Sequence, residues 1–275
     1  MKFADLHLHT VYSDGTYTPV QLISESQKAG LSAIAVVDHD TVEGILPVIE
    51  AARDEDLEVL PGIELSAEYE DSEVHILGYL LDYQNEELKA RLDILKRNRF
   101  ERIYKITDKL KAIGLSLNPQ TVFDVAGRGT VGRLHVARAM AKEGLVENVF
   151  EAFQKYIGDK GPAFVLGFKF SPKEAIQLIT DTGGIPVLAH PYTIPDDRII
   201  LKFIEYGLMG LEAYYPEHSQ SMINFYLELA RNNHLLVTGG SDCHGDAKSE
   251  VKIGSLRIPY ELVEKLKEAK LSTDK

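Results

Sequence analysis

The chain has 275 residues, 44% hydrophobic and 26% charged, with a formal net charge of −12. That acidity argues against wholesale coating of nucleic acid though not against a local basic pocket, and the length suits one barrel-sized α/β domain or a core domain carrying an insertion. Its one cysteine, Cys243, excludes an intrachain disulfide and favours a reducing compartment. With no apolar signal core before Asp5, and an apolar run at Ala33 to Val37 far too short to cross a bilayer, a cytoplasmic protein is expected.

The first stretch, Asp5-Leu6-His7-Leu8-His9-Thr10, reads as a strand whose period of two puts His7 and His9 on one face and Leu6 and Leu8 on the other. Two adjacent imidazoles can clamp a metal ion, and the Ser13-Asp14-Gly15 turn can return Asp14 as an oxygen ligand. The alternative is a pair of satisfied polar residues on a strand edge. Pro19 to Gly30 reads as a helix, and Leu31 to Val37 as a buried parallel strand ending at Asp38-His39-Asp40. A helix from about Val42 to Arg53 precedes the strand Leu57 to Leu60, which runs into Pro61-Gly62-Ile63-Glu64. This rhythm predicts parallel βα units with polar residues at the strand ends. Residues 65–82 read as an antiparallel or bulged excursion presenting His75.

From Asn85 to about Ile113, Leu88, Leu92, Leu95, Ile103, Ile106, Leu110 and Ile113 recur at helical spacing, and Gly114 stops the helix. It carries more basic than acidic residues in an acidic chain, mostly as a solvated surface, but Arg99 falls close to the apolar stripe. Residues 85–165 are read as a helical insertion capping a barrel built from 1–84 and 166–275. The rhythm resumes with a helix at Pro172 to Thr182 and a strand ending at His190-Pro191. Further strands run from Gly210 to Tyr215 and from Leu235 to Thr238, the second ending in Gly239-Gly240-Ser241-Asp242-Cys243-His244-Gly245. A last helix spans about Pro259 to Ala269.

His7, His9, Asp14, His39, Glu64, His75, His190, Asp242 and His244 thus collect at strand ends or in the turns just beyond. Nine nitrogen and oxygen ligands exceed what one ion takes, so two or three divalent ions are implied. Imidazole mixed with carboxylate, without thiolate, suggests Mn²⁺, Fe²⁺ or Zn²⁺. Clustered ions of this kind supply hydroxide near neutral pH and clamp phosphate oxygens. No G-x-S-x-G elbow or P-loop offers another route. Arg133 and His135 could hold a second phosphate, Arg133 bidentately, or could be a helix N-terminal pair with no ligand. His218, just past a strand end, could lean into the pocket or serve as a cap. Asp40 reads as a support for a ligand histidine or a metal-bound water, and Cys243 as packing.

The segments D-L-H-L-H-T-x-x-S-D-G, V-D-H-D, P-G-I-E, V-H-I-L-G, L-A-H-P and G-S-D-C-H-G closely resemble the PHP (polymerase and histidinol phosphatase) family of metal-dependent phosphoesterases. Gly132 to Ala139, with Tyr156 and Lys160-Gly161, resembles the branch that hydrolyses nucleoside 3′,5′-bisphosphates and trims short oligonucleotides from the 5′ end. Val37 and Leu134 depart from the residues common at those positions, threonine and proline, and neither is a ligand position. The resemblance implies a distorted, seven-stranded TIM-like barrel with an inserted cap. It implies a first ion on His7, His9, Glu64 and Asp242, a second on Asp14, His39 and His244, and a third on Glu64, His75 and His190. Asp14, His39, Glu64, His190 and His244 would be catalytic, while Arg133, His135, Lys160, Arg99 and His218 would contact substrate. The expected substrate is a phosphorylated nucleotide or short oligonucleotide, with no membrane and no obligatory protein partner. Rival readings are a histidinol-phosphate-type phosphatase, a metal-dependent C–N hydrolase, and a non-catalytic accessory domain of a polymerase. Glu64 stands where the C–N hydrolases usually place a lysine, and every ligand position an accessory domain can lose is filled.

Overall fold

A computed structural model describes residues 2–70, 72–127, 129–166 and 170–273. Strand β1 (Phe3–Leu8) leads through helix α1 (Pro19–Lys28) to β2 (Ala33–Val36), and α2 (Ile45–Ala51) leads to β3 (Glu58–Tyr69) and β4 (Ser72–Tyr79). The helices α3 (Glu86–Ala112), α4 (Pro119–Ala126), α5 (Arg133–Lys142) and α6 (Val149–Ala152) follow, with no strand between them among the described residues. Then come α7 (Pro172–Asp181), β5 (Ile185–Leu188), α8 (Ile199–Glu205), β6 (Gly210–Tyr214), α9 (Gln220–Asn232), β7 (Leu236–Gly239), β8 (Ile258–Pro259) and α10 (Glu261–Thr273). No described helix is long and apolar enough to cross a membrane.

The strands form one mixed sheet in the order β7-β6-β5-β4-β3-β2-β1-β8. β1, β2 and β3 run parallel, as do β5, β6 and β7, while β4 pairs antiparallel with both β3 and β5. A bridge between Leu8 and Cys243, with the His9 N–H donating to the Cys243 carbonyl at 3.2 Å, ties the end of β1 to the chain after β7. The result is a nearly closed, barrel-shaped sheet with eight strands among the described residues rather than the seven expected. The extra one, β8, is two residues long and antiparallel to β1, too short for alternation to reveal. Pro259, expected to open the last helix, is the second residue of β8 instead.

Helix starts follow local chemistry. Thr18 and Gln21 form a capping box ahead of Pro19 in α1, Ser171 and Glu174 do the same for α7, and Asn85 accepts from the Leu88 N–H at the start of α3. Inside the sheet, Ala4, Leu6, Ala33, Ala35, Val37 and Leu60 join one buried cluster. Ile34 and Val36 turn outward against Leu22, Ile23 and Val48 of α1 and α2. Strict alternation fails in β1: Leu6 belongs to the inner cluster and Leu8 to the outer one, because the register shifts between Asp5 and Leu8. His7 and His9 nonetheless both stay fully buried.

The long helix serves two cores. Leu88, Leu92 and Leu95 pack with the barrel's outer layer, whereas Ile103, Ile106 and Leu110 join a cluster made only of residues between 103 and 165. Arg99 and Arg102 fall where the apolar stripe changes partner.

Candidate metal centre

Glu64 is the hub. Parallel pairing carries β3 alongside β2 as far as Pro61, after which β3 continues as half of a hairpin with β4. Glu64 and His75 are therefore mid-strand residues, not strand-end ones, with Glu64 at the point where the chain after β2 peels away and His39 still bridges to it. Glu64 Oε2 lies 3.2 Å from His7 Nε2, 3.2 Å from His9 Nε2 and 3.3 Å from His39 Nδ1. Its Oε1 lies 2.7 Å from His75 Nδ1 and 3.1 Å from His190 Nε2.

Two further carboxylates flank this hub. Asp242 Oδ1 is 3.1 Å from His9 Nε2 and 3.4 Å from His7 Nε2. Asp14 Oδ1 is 3.2 Å from His244 Nε2, and Asp14 Oδ2 is 3.9 Å from His39 Nε2. Backbone geometry is unusual here, since Asp40, His190 and Asp242 all have positive φ, of 50°, 26° and 55°. Such angles are uncommon for residues other than glycine, and three of them fall beside the cluster. Close approach imposes another demand: a Cβ on Gly240 would stand 2.4 Å from the His7 Cβ, so only glycine lets the end of β7 pass β1.

Electrostatics follow from the crowding. Burial alone would push Glu64 up, yet the imidazoles of His39, His75 and His7 outweigh it and hold the carboxyl well below its usual range. Asp14 and Asp242 are likewise held down against burial, by His244 and His39 in one case and by Lys248 and His244 in the other. Burial would lower His9 and His75, but carboxylates raise both to about 9, with Asp242 and Glu64 acting on His9 and Glu64 on His75.

The donor set fits divalent ions. Ligand atoms of His7, His9, Glu64 and Asp242 lie within 4.8 Å of one another, as do those of His9, Asp14, His39 and His244, and those of His39, Glu64 and His75. His9 Nε2, Asp14 Oδ1 and His39 Nδ1 are buried without a hydrogen-bond partner, and each belongs to one of these groups. Buried polar atoms are rarely left so in a folded protein unless something else binds them.

All nine predicted ligand residues are thus brought together, whereas the predicted substrate contacts divide. Arg133 and Arg99 line a cleft of about 980 Å³ that also exposes Asp14, His39, His75 and His244. Arg133 is held by Asp159 at 2.5 Å and Glu73 at 2.8 Å, and Arg99 by Asp40 and the Ser66 hydroxyl at 2.7 Å. His135 is buried away from the cleft lining, its Nδ1 accepting the Gly132 N–H at 3.1 Å across the first turn of α5. Lys160 is exposed and does not line the cleft. His218 is buried against Tyr215 and Tyr226, with ring centroids at 5.5 and 5.0 Å, and donates to the Ala213 carbonyl. Asp40 supports Arg99 and the Ser66 N–H rather than a ligand histidine.

Several supports escaped the sequence reading. Glu212, fully buried, accepts from His7 Nδ1 at 2.8 Å and from the His190 N–H at 2.7 Å. Asp38 accepts from the Thr10 N–H and from the Thr10 and Ser13 hydroxyls, fixing the loop after β1. Lys248 lines the cleft 3.0 Å from Asp242 Oδ2, to which Tyr215 also donates at 2.8 Å. A lone acid in the apolar run Gly210 to Tyr214 was the available signal for Glu212.

Fold and site together define a metal-dependent phosphoesterase built on a barrel-shaped sheet. The PHP domain model matches residues 5–163, and the chain belongs to that family. A 5′-3′ exoribonuclease of Haemophilus influenzae is 31% identical over 88% of this chain and 90% of its own length. A 3′,5′-nucleoside bisphosphate phosphatase of Chromobacterium violaceum is 29% identical over 92% and 91%. A crystal structure from Bifidobacterium adolescentis, described as a metal-dependent phosphoesterase, superposes with a TM-score of 0.87 at 30% identity, covering 96% of this chain and 94% of that one.

Proposed function

We propose that this phosphoesterase removes a phosphate from nucleoside 3′,5′-bisphosphates and acts on short oligonucleotides from the 5′ end. One observation carries the reading: a single cleft joins the imidazole–carboxylate cluster to a wall of three guanidiniums, Arg99, Arg102 and Arg133. A substrate with two phosphates can set one at the cluster while the other meets this wall. The names of the two bacterial relatives support the same substrate class.

The ligand assignment belongs to this proposal. His7, His9, Glu64 and Asp242 would hold one ion, Asp14, His39 and His244 a second, and Glu64, His75 and His190 a third, with Glu64 shared. Bound there, Mn²⁺, Fe²⁺ or Zn²⁺ would supply Lewis acidity and a nucleophile at neutral pH. The protein's own part is to hold imidazole lone pairs inward, which Glu212 does for His7 through Nδ1. Asp14, His39, Glu64, His190 and His244 would face the reacting phosphate. Residues 85–165 would form the cap, supplying the arginine wall while 1–84 and 166–275 supply the ligands, and the enzyme would work in the cytoplasm.

Phosphate release from adenosine 3′,5′-bisphosphate, histidinol phosphate, an aryl phosphate and a 5′-phosphorylated oligonucleotide tests the reading. The bisphosphate should have the highest kcat/KM among the small substrates. Preference for histidinol phosphate would replace this reading with the amino-acid-pathway one.

A further inference from the structure

Glu73 stands outside the ligand set, two residues before His75 on β4 and therefore on the same face of that strand. Its two oxygens have separate partners. Oε1 lies 3.1 Å from His75 Nε2, while Oε2 lies 2.8 Å from Arg133 Nη2 and 3.6 Å from Arg102 Nη2. A carboxylate only accepts, so the His75 proton facing it sits on Nε2. Nδ1 is the atom turned to the cluster, 2.7 Å from Glu64 Oε1 and 3.3 Å from His190 Nε2, and an ion bound there would take the place of a proton on that nitrogen.

On the other side, Arg102 donates from Nε to the Val165 carbonyl at 2.8 Å, and its buried Nη2 has no hydrogen-bond partner. Arg102 and Arg133 both line the cleft, and both stack near Phe164, at 5.9 and 5.3 Å from its centroid. The pair is thus aimed and partly desolvated, with a donor to spare.

We propose that Glu73 is a joint between the two halves of the site. One oxygen positions the metal ligand His75, and the other aims Arg102 and Arg133 at the phosphate that is not cleaved. Removing the carboxylate then weakens a metal ion and the selectivity for a second phosphate together. The inference rests on the reading of the cluster as a metal centre that acts on bisphosphates.

Glu73→Gln is the test, because an amide has one accepting oxygen and one donating NH₂ and cannot satisfy both sides. Manganese affinity is measured by chelator competition on wild type and variant. Selectivity is measured at saturating Mn²⁺ as the ratio of kcat/KM for adenosine 3′,5′-bisphosphate to that for an aryl phosphate. The weakest-bound manganese should lose about 10- to 100-fold in affinity, the range for supports behind metal-ligating histidines, and the selectivity ratio should fall about tenfold or more. If only one of the two changes, Glu73 serves that side alone and the joint is overturned, as it is if neither changes. Wild-type protein that binds no manganese, or shows no preference for the bisphosphate, would instead remove the functional reading beneath the inference. Should Glu73→Gln lack the wild-type circular dichroism spectrum, Glu73→Asp keeps the charge but draws both oxygens back from their partners. Both properties should then fall, and a wild-type value for either would refute the proposal.

Discussion

Replacing Arg133 by alanine separates recognition from chemistry. The guanidinium holds Asp159 with Nη1 and Glu73 with Nη2, and its side chain is 16% exposed. Asp159 is 65% exposed, so that pair is worth below about 1 kcal/mol and its loss should hardly touch the fold. Glu73 keeps a cation nearby in Arg102, 3.6 Å away. What would then be lost is the proposed contact with substrate, a charge-assisted bond worth about 1.5–3 kcal/mol. At about 1.4 kcal/mol per tenfold, kcat/KM for adenosine 3′,5′-bisphosphate should fall roughly 10- to 150-fold. An aryl phosphate, having no second phosphate to hold, should be turned over at close to the wild-type rate. Steady-state kinetics on both substrates with the same protein preparations reads the difference directly. Equal losses on the two would mean that Arg133 serves the cluster or the fold, and the arginine wall would lose its place in recognition.

Elemental analysis should find at least two transition-metal ions per chain, and a strong chelator should abolish activity; active protein with less than one equivalent would sink the metal reading. His7→Ala, which removes a contact to Glu64, Glu212 and Asp242, should lose most activity, whereas His234→Ala, exposed after α9, should not. His135, outside the ligand set, gives a pH signature of its own. Burial, aided by Arg138 and Arg99, pulls its pKa from 6.5 down to about 4 against the attraction of Asp14. The unfolded chain therefore takes up this proton first as pH falls, so stability present above about pH 6.5 drains away between there and about pH 4, on the order of 3 kcal/mol in all. Denaturant melts across that range should show His135→Gln with a shallower slope than wild type, and identical slopes would refute the buried, neutral assignment.

The βα rhythm, the long helix and the residues of the imidazole–carboxylate cluster were legible in the sequence. Those signals are local: an apolar run ending in a polar residue marks a buried strand and its mouth, and a stripe at helical spacing marks α3 almost to the residue. Pairing decided what periodicity could not. The bulge that sends Leu6 inward and Leu8 outward, the two-residue β8, and the mid-strand position of Glu64 all depend on partners far along the chain. The substrate side divided for the same reason. Arg133 and His135 are two residues apart, yet α5 turns one into the cleft and uses the other to close its own first turn. Nothing in the sequence marks Glu212 or Glu73 as the partner of a histidine, and folding sets each within hydrogen-bond distance of a cluster histidine. Residue type announces which atoms can bind an ion, but the direction of a buried imidazole is fixed by its second nitrogen's partner, and only the tertiary structure supplies that partner.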